Sequence, residues 1–123
     1  MVWVVALDDE FAAWLREQTT RVREGILTSV ELLRAFGPQL GRPHVDRIEG
    51  SAHPNMKELR VQIGGDPWRV FFAFDPQRSA FLLVGGDKTG DKRFYEVNIP
   101  IADARFARHL ERLKAERPKG RKG

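Results

Sequence analysis

Cysteine is absent from the 123 residues. Disulfide staples, thiolate nucleophiles and cysteine-held metal ions are therefore excluded, and a reducing compartment, the cytoplasm, is the expected setting. Histidine is scarce as well: His44, His53 and His109 stand far apart, with no carboxylate at ligand spacing. Neither a metal site nor a cofactor is expected. No apolar stretch approaches the length of a membrane span, and Val2-Trp3-Val4-Val5-Ala6-Leu7 runs into Asp8-Asp9-Glu10 with no basic leader. A membrane partner and secretion are both unexpected. Internal repeats are missing too. Gly85-Gly86-Asp87-Lys88-Thr89-Gly90 is glycine-rich but lacks the spacing and the Lys-Ser/Thr ending of a P-loop, so nucleotide hydrolysis is not expected.

What is present is enough for one packed core. Hydrophobic residues make up 41% and charged residues 31%, a balance far from that of a disordered chain. One domain over residues 1–117 is expected, followed by a basic, Gly- and Pro-containing tail over 118–123. The net charge of +4 favours an anionic partner, with nucleic acid first among the candidates.

Hydrophobic periodicity orders the elements. Residues 2–7 are short, apolar and β-branched, which reads as a strand, and the acidic run after them suits a helix N-terminus. Phe11, Trp14, Leu15, Val22, Ile26, Val30, Leu33 and Phe36 recur at helical spacing, and Thr19-Thr20 breaks them into a helical hairpin. Gly37-Pro38 ends it, and residues up to Asn55 read as a connecting loop. From Lys57 the period changes to two, predicting a three-stranded antiparallel meander over residues 57–63, 68–74 and 80–85. A C-terminal helix is predicted after Pro100, on Ile101, Ala104, Phe106, Ala107, Leu110 and Leu113. The fold class is α+β.

A four-residue turn over residues 64–67 would set Ile63 against Trp68, Gln62 against Arg69 and Arg60 against Phe71. Alternation then buries Leu59, Val61, Ile63, Trp68, Val70 and Phe72 against the helices and leaves Arg60, Gln62, Arg69 and Phe71 on the other side. If Phe74 pairs with Ala80, Leu83 falls beside Phe71, and Gly85 falls beside Arg69 and leaves a cleft there. Lys88, Lys92, Arg93 and Tyr95 follow at the same end of the sheet. Cations beside flat rings are what single-stranded RNA binding uses. Each residue has a plainer reading. Arg69 can be a solvated cross-strand residue, although an Arg opposite Gln62 and a glycine calls for an anion. Lys57 and Arg60 can be ordinary edge charges, either ring of Phe94-Tyr95 can be core, and His53 can be a packing residue that borders the site.

The runs Leu40-Gly41-Arg42-Pro43, Ile48-Glu49-Gly50-Ser51, Lys57-Glu58-Leu59-Arg60, Trp68-Arg69-Val70, Phe72-Ala73-Phe74-Asp75-Pro76, Gly85-Gly86-Asp87-Lys88, Phe94-Tyr95 and Ile99-Pro100 together resemble the phage-derived, HigB-like branch of the RelE/ParE toxin superfamily. The resemblance covers nearly the whole chain and implies a RelE-like fold. It also implies a toxin that cleaves mRNA without a metal, usually in the ribosomal A site, and that is neutralised by a cognate antitoxin, commonly a helix-turn-helix protein. Carried over residue by residue, it makes Lys57 the base and makes Arg69 and Lys88 the cations on the phosphate. Tyr95 becomes the group that stacks on or orients the nucleotide, or moves a proton. The strand pairing, apart from the resemblance, puts Arg60, Phe71, Lys92 and Arg93 in RNA-binding places, with His53 at the border. The chain departs from the usual pattern in carrying Met56 in front of Lys57 and Lys88 where an Arg is common. A ParE-like gyrase poison and a non-catalytic RNA- or ribosome-binding module are the rival readings.

Overall fold

Two side chains set where the N-terminal helices begin. The Asp8 carboxylate accepts the N–H groups of Glu10 and Phe11, and Thr19 Oγ1 accepts that of Val22, so donors left over by each first helical turn are satisfied. In the computed structural model, which describes residues 2–116, β1 (Val5–Leu7) precedes α1 (Asp9–Arg16) and α2 (Thr20–Phe36), as the periodicity predicts. Gly37, at φ +57°, caps α2 and opens a short 3-10 helix, Gly37–Gln39. The segment expected to be loop contains a strand, β2 (Val45–Arg47), too short for its alternation to register. Next come β3 (Lys57–Ile63), β4 (Asp66–Phe74), β5 (Ala80–Asp87) and α3 (Phe94–Ala115). The expected basic tail lies outside the described residues.

The C-terminal helix begins before Pro100, where the sequence pattern had it begin after. A proline ordinarily marks a helix boundary because it lacks an N–H and crowds the preceding turn. Here the opening turns gain other partners: Asn98 Nδ2 donates to the Phe94 carbonyl at 2.8 Å, and Arg93 pairs with Glu96.

The strands form one mixed sheet in the order β1-β5-β4-β3-β2, with β1 parallel to β5 and the other pairs antiparallel. The β3–β4 turn is two residues long, not four. Gly64 and Gly65 take φ of 61° and 90°, the left-handed conformations that tight hairpins demand and glycine adopts without strain. Arg60 therefore lies opposite Arg69, Val61 opposite Trp68 and Gln62 opposite Pro67. The shift from the expected register is even, so every side chain keeps its face. Between β4 and β5 a bulge at Phe71/Phe72 leaves Leu83 without a partner and sets Val84 against Phe71 and Gly86, not Gly85, against Arg69.

Both faces of the sheet are covered. Leu59, Val61, Ile63, Val70, Phe72 and Leu82 pack with Phe11, Ile26 and Leu33 of α1 and α2. Phe71, Ala73, Phe81 and Leu83 pack with Phe94, Ala102 and Phe106 of α3. The second face is thus not the open surface the pattern implied, because the apolar side of α3 is buried on it. On that face Arg69 is nearly covered, while Arg60 and Tyr95 stay half-buried. No helix of the described residues is long and apolar enough to cross a membrane.

The Trp3 indole lies across Gly37, well inside contact distance of any Cβ placed there. Gly37→Ala combines that overlap with a positive φ and is expected to cost about 2 kcal/mol or more in denaturant unfolding. A loss near zero would show that Trp3 does not pack on this turn.

Candidate functional site

Opposed like charges on adjacent strands repel, so Arg60 across from Arg69 needs an anion nearby. The chain supplies it as Glu58, two residues before Arg60 on the same face of β3 and diagonal to Arg69. Glu58 Oε1 lies 3.5 Å from Arg69 Nε, and Oε2 lies 3.8 Å from Arg60 Nε. Glu58 and Arg69 are both buried, each 6% exposed. The guanidinium also donates from Nη1 to the Trp68 carbonyl at 3.0 Å, while Arg69 Nε itself has no hydrogen-bond partner.

Tyr95, in the first turn of α3, comes down on the same carboxylate, its hydroxyl donating to Glu58 Oε1 at 2.6 Å. Its ring stacks on Phe71 with centroids 5.8 Å apart and planes 16° apart. Lys88 Nζ sits 5.7 Å from the centre of that ring, within cation–π range. Burial, then the hydrogen bond and charge of Glu58, raise the Tyr95 pKa above its ordinary 10.0, with Arg69 opposing. The phenol is therefore protonated at neutral pH. Arg60 and Arg69 flank one carboxylate and Lys88 lies over the ring that touches it, so the cluster is net positive and suited to a phosphate.

Four of the nine sequence-expected residues, Arg60, Arg69, Lys88 and Tyr95, meet here. Lys57 does not. It shares the face of Leu59 and Val61, opposite Phe72, and lines a hollow with Gln39 and Leu40 on the α2 side of the sheet. Its neighbour Glu58 is the side chain that reaches Arg60, Arg69 and Tyr95. Phe71 is fully buried, so it supports Tyr95 and cannot stack on a base. His53 stands edge-on to Phe106 at 5.0 Å, with Nε2 3.4 Å from the Asp103 carbonyl, and joins the 46–54 loop, not the cluster. Lys92 and Arg93 are exposed just ahead of α3, and Arg93 is held by Glu96. Glu58 was missed because an acid was not sought among cations. Its signal is the period of two that links it to Arg60. Among the described residues no group of three His, Cys, Asp or Glu could hold a metal ion.

A mixed five-stranded sheet with a helical hairpin on one face and a long helix on the other is the RelE fold. The structure of a double arginine-to-alanine mutant of E. coli toxin RelE in the free state matches with a TM-score of 0.59, covering 85% of this chain and 98% of that one at 13% identity. The sequence profile described as "Phage derived protein Gp49-like (DUF891)" matches residues 13–107, and the chain belongs to that family. Among its relatives are two Mycobacterium tuberculosis H37Rv proteins named "Putative toxin HigB2" and "Putative toxin HigB3". The first is 40% identical over 93% of this chain and the second 45% identical over 82%. The chain spans 58% of the length of the first and 88% of the second.

Tyr95 is the sole tyrosine, which makes its titration directly readable by phenolate absorbance. A folded-state pKa above 10.0 means the folded protein holds this proton more tightly than the unfolded chain. The stabilisation is full below about pH 10 and is lost as pH rises through the raised value. Glu58→Gln is expected to bring the titration down toward the ordinary value. A wild-type midpoint already at that value, unmoved by the substitution, would contradict the contact.

Proposed function

We propose that this chain is the toxin of a toxin–antitoxin pair and cleaves RNA in the cytoplasm, by attack of a 2′-hydroxyl on the adjacent phosphate and without a metal. The observation carrying this reading is the convergence of Arg60, Arg69 and Lys88 on one carboxylate–phenol pair, Glu58 and Tyr95. In-line cleavage needs a base on the 2′-hydroxyl, cations on the phosphate oxygens and an acid on the leaving 5′-oxygen. Glu58 takes the base role that the resemblance had assigned to Lys57. Arg69 and Lys88 stabilise the charge of the five-coordinate phosphorus. Tyr95, protonated at neutral pH, is the acid.

The protons balance. The 2′-oxygen bonds to phosphorus as its proton passes to Glu58. The phosphorus–5′-oxygen bond breaks as Tyr95 protonates the departing oxygen, a far stronger base than phenolate. The products are a 2′,3′-cyclic phosphate and a free 5′-hydroxyl. The 2.6 Å contact then returns the proton from Glu58 to Tyr95. The proposed substrate is mRNA on the ribosome, and the partner is a cognate antitoxin, by the resemblance a helix-turn-helix protein. The names of the M. tuberculosis relatives support the toxin role.

Mapping RNA ends after induced expression tests this. Cuts within translated codons bearing cyclic phosphates are expected. DNA breaks with intact mRNA would instead indicate a gyrase poison, and neither kind of break would indicate a binding module. With purified protein, Tyr95→Phe is expected to lower cleavage by about a hundredfold or more while cooperative unfolding is retained. Arg69→Ala and Glu58→Gln are poorer probes, because each strands a buried partner charge at a cost of about 3–5 kcal/mol. Full activity in Tyr95→Phe would remove the phenol from the mechanism.

A further inference from the structure

β1 pairs with β5 along one side, and among the described residues no strand lies on its other side. The Ala80 N–H takes the Val4 carbonyl and the Asp8 N–H takes the Leu82 carbonyl, each at 2.9 Å, so residues 4, 6 and 8 turn their backbone groups inward. Alternation turns those of Val5 and Leu7 outward. Trp3 faces outward as well, but its N–H is already taken by the Arg34 carbonyl at 2.8 Å. The edge is apolar: Val2, Val4 and Leu7 are 68%, 61% and 37% exposed. Neither lysine nor proline guards residues 2–7, and an unguarded apolar edge favours pairing with another strand.

The two ends of β1 carry opposite charge. Ahead of it, Arg78 of the β4–β5 turn lies over the Trp3 ring, with Cζ 4.9 Å from the ring centre. Arg78 takes φ 68°, a left-handed conformation uncommon for a long side chain, and Asp75 secures that turn by accepting the N–H groups of Gln77 and Ser79. Beyond β1 stands Asp9, the first residue of α1. Arg78 and Asp9 are both exposed, and among the described residues neither enters an ion pair. Asp8 and Glu10, by contrast, are held by Arg105 and Arg108.

We propose that β1 pairs antiparallel with β1 of a second copy of this chain, about a two-fold axis at Ala6, so that one sheet runs through both molecules. Each Val5 then lies opposite Leu7 of the other copy and exchanges both backbone hydrogen bonds with it. The small Ala6 side chains meet at the axis, where an antiparallel pair brings side chains closest. Centring the pair on Val5 would instead need the Trp3 N–H that Arg34 holds. The Ala6 register sets Asp9 of each copy beside Trp3 of the other, within reach of the Arg78 that covers it. A second copy suits this edge better than a foreign segment, because a strand with acid at one end and base at the other complements itself when reversed. The helices leave room for it. Both α1 and α3 pack over β5, one strand in from the edge, so the two α1 helices would stand three strand spacings apart, about 14 Å. Packed helices need about 8–10 Å. The pairing does not depend on RNA cleavage, since Glu58 and Arg69 lie on β3 and β4.

Sedimentation of the full chain over a range of concentrations tests this, with amide exchange followed by NMR on the same samples. A monomer–dimer equilibrium is expected, with the Val5 and Leu7 amides gaining protection as concentration rises. Leu7→Lys should raise the dimer dissociation constant about tenfold or more while the dilute protein keeps its melting curve. Arg78→Asp and Asp9→Lys should each raise it about threefold or more, because the two-fold axis repeats every contact. Combining the two reversals should return it toward the wild-type value, a rescue that a folding defect would not give. The proposal is overturned by a chain that stays monomeric throughout, by a dimer indifferent to Leu7→Lys, by a double reversal no tighter than the single ones, or by protection that appears at Gln62 of β3 instead.

Discussion

A buried ion pair between Glu58 and Arg69 is the constraint around which the rest of the site is arranged. Taking either charge out of water alone would cost several kcal/mol, so each requires the other. The third charge of the group, Arg60 directly across from Arg69, is tolerable because the same carboxylate lies within reach of both. Local features upstream of the chemistry serve this arrangement. The two-residue glycine turn brings Arg60 opposite Arg69. The bulge in β5 brings Gly86 to the other side of Arg69, which leaves no side chain to crowd the guanidinium. Arg69 Nε keeps the Glu58 charge nearby without a hydrogen bond of its own.

The third helix brings the phenol to that pair and closes the sheet over it. Its far end is fastened twice. His109 Nε2 lies 2.8 Å from the buried Asp75 of the β4–β5 turn, with its ring stacked 3.6 Å from Phe81. Arg105 and Arg108 reach Asp8 and Glu10 at the start of α1. The near end is held through Phe94 and Tyr95 packing on Phe71. A core aromatic, Phe71, therefore fixes the position of a site residue without touching any ligand. The Phe71–Tyr95 stack couples core packing to the geometry of the 2.6 Å phenol–carboxylate contact.

Much of this was legible in the residues. The strand, helical hairpin and meander follow from periodicity, and the face assignments survive because the error in turn length was even. The resemblance to HigB-like toxins agrees with the fold and the family. What was not legible has physical causes. β2 is three residues long and carries no pattern. Pro100 hid the first turns of α3, because a proline ordinarily marks a helix boundary and the local contacts of Arg93 with Glu96 and of Asn98 with the Phe94 carbonyl carry no hydrophobic period. Lys57 and Glu58 are neighbours in sequence, and only the pleat decides which reaches Arg69. A short motif match places a residue along the chain, whereas the strand's period of two selects the face.

The coupling between Glu58 and Arg69 tests the central claim most directly. In a double-mutant cycle on unfolding free energy with Glu58→Gln and Arg69→Gln, each single substitution strands a buried partner, and the double substitution removes both. The double variant should be more stable than the sum of the single effects by about 2 kcal/mol or more. Additivity to within about 0.5 kcal/mol would mean that the two charges do not hold each other, and the arrangement of the site around them would have to be abandoned.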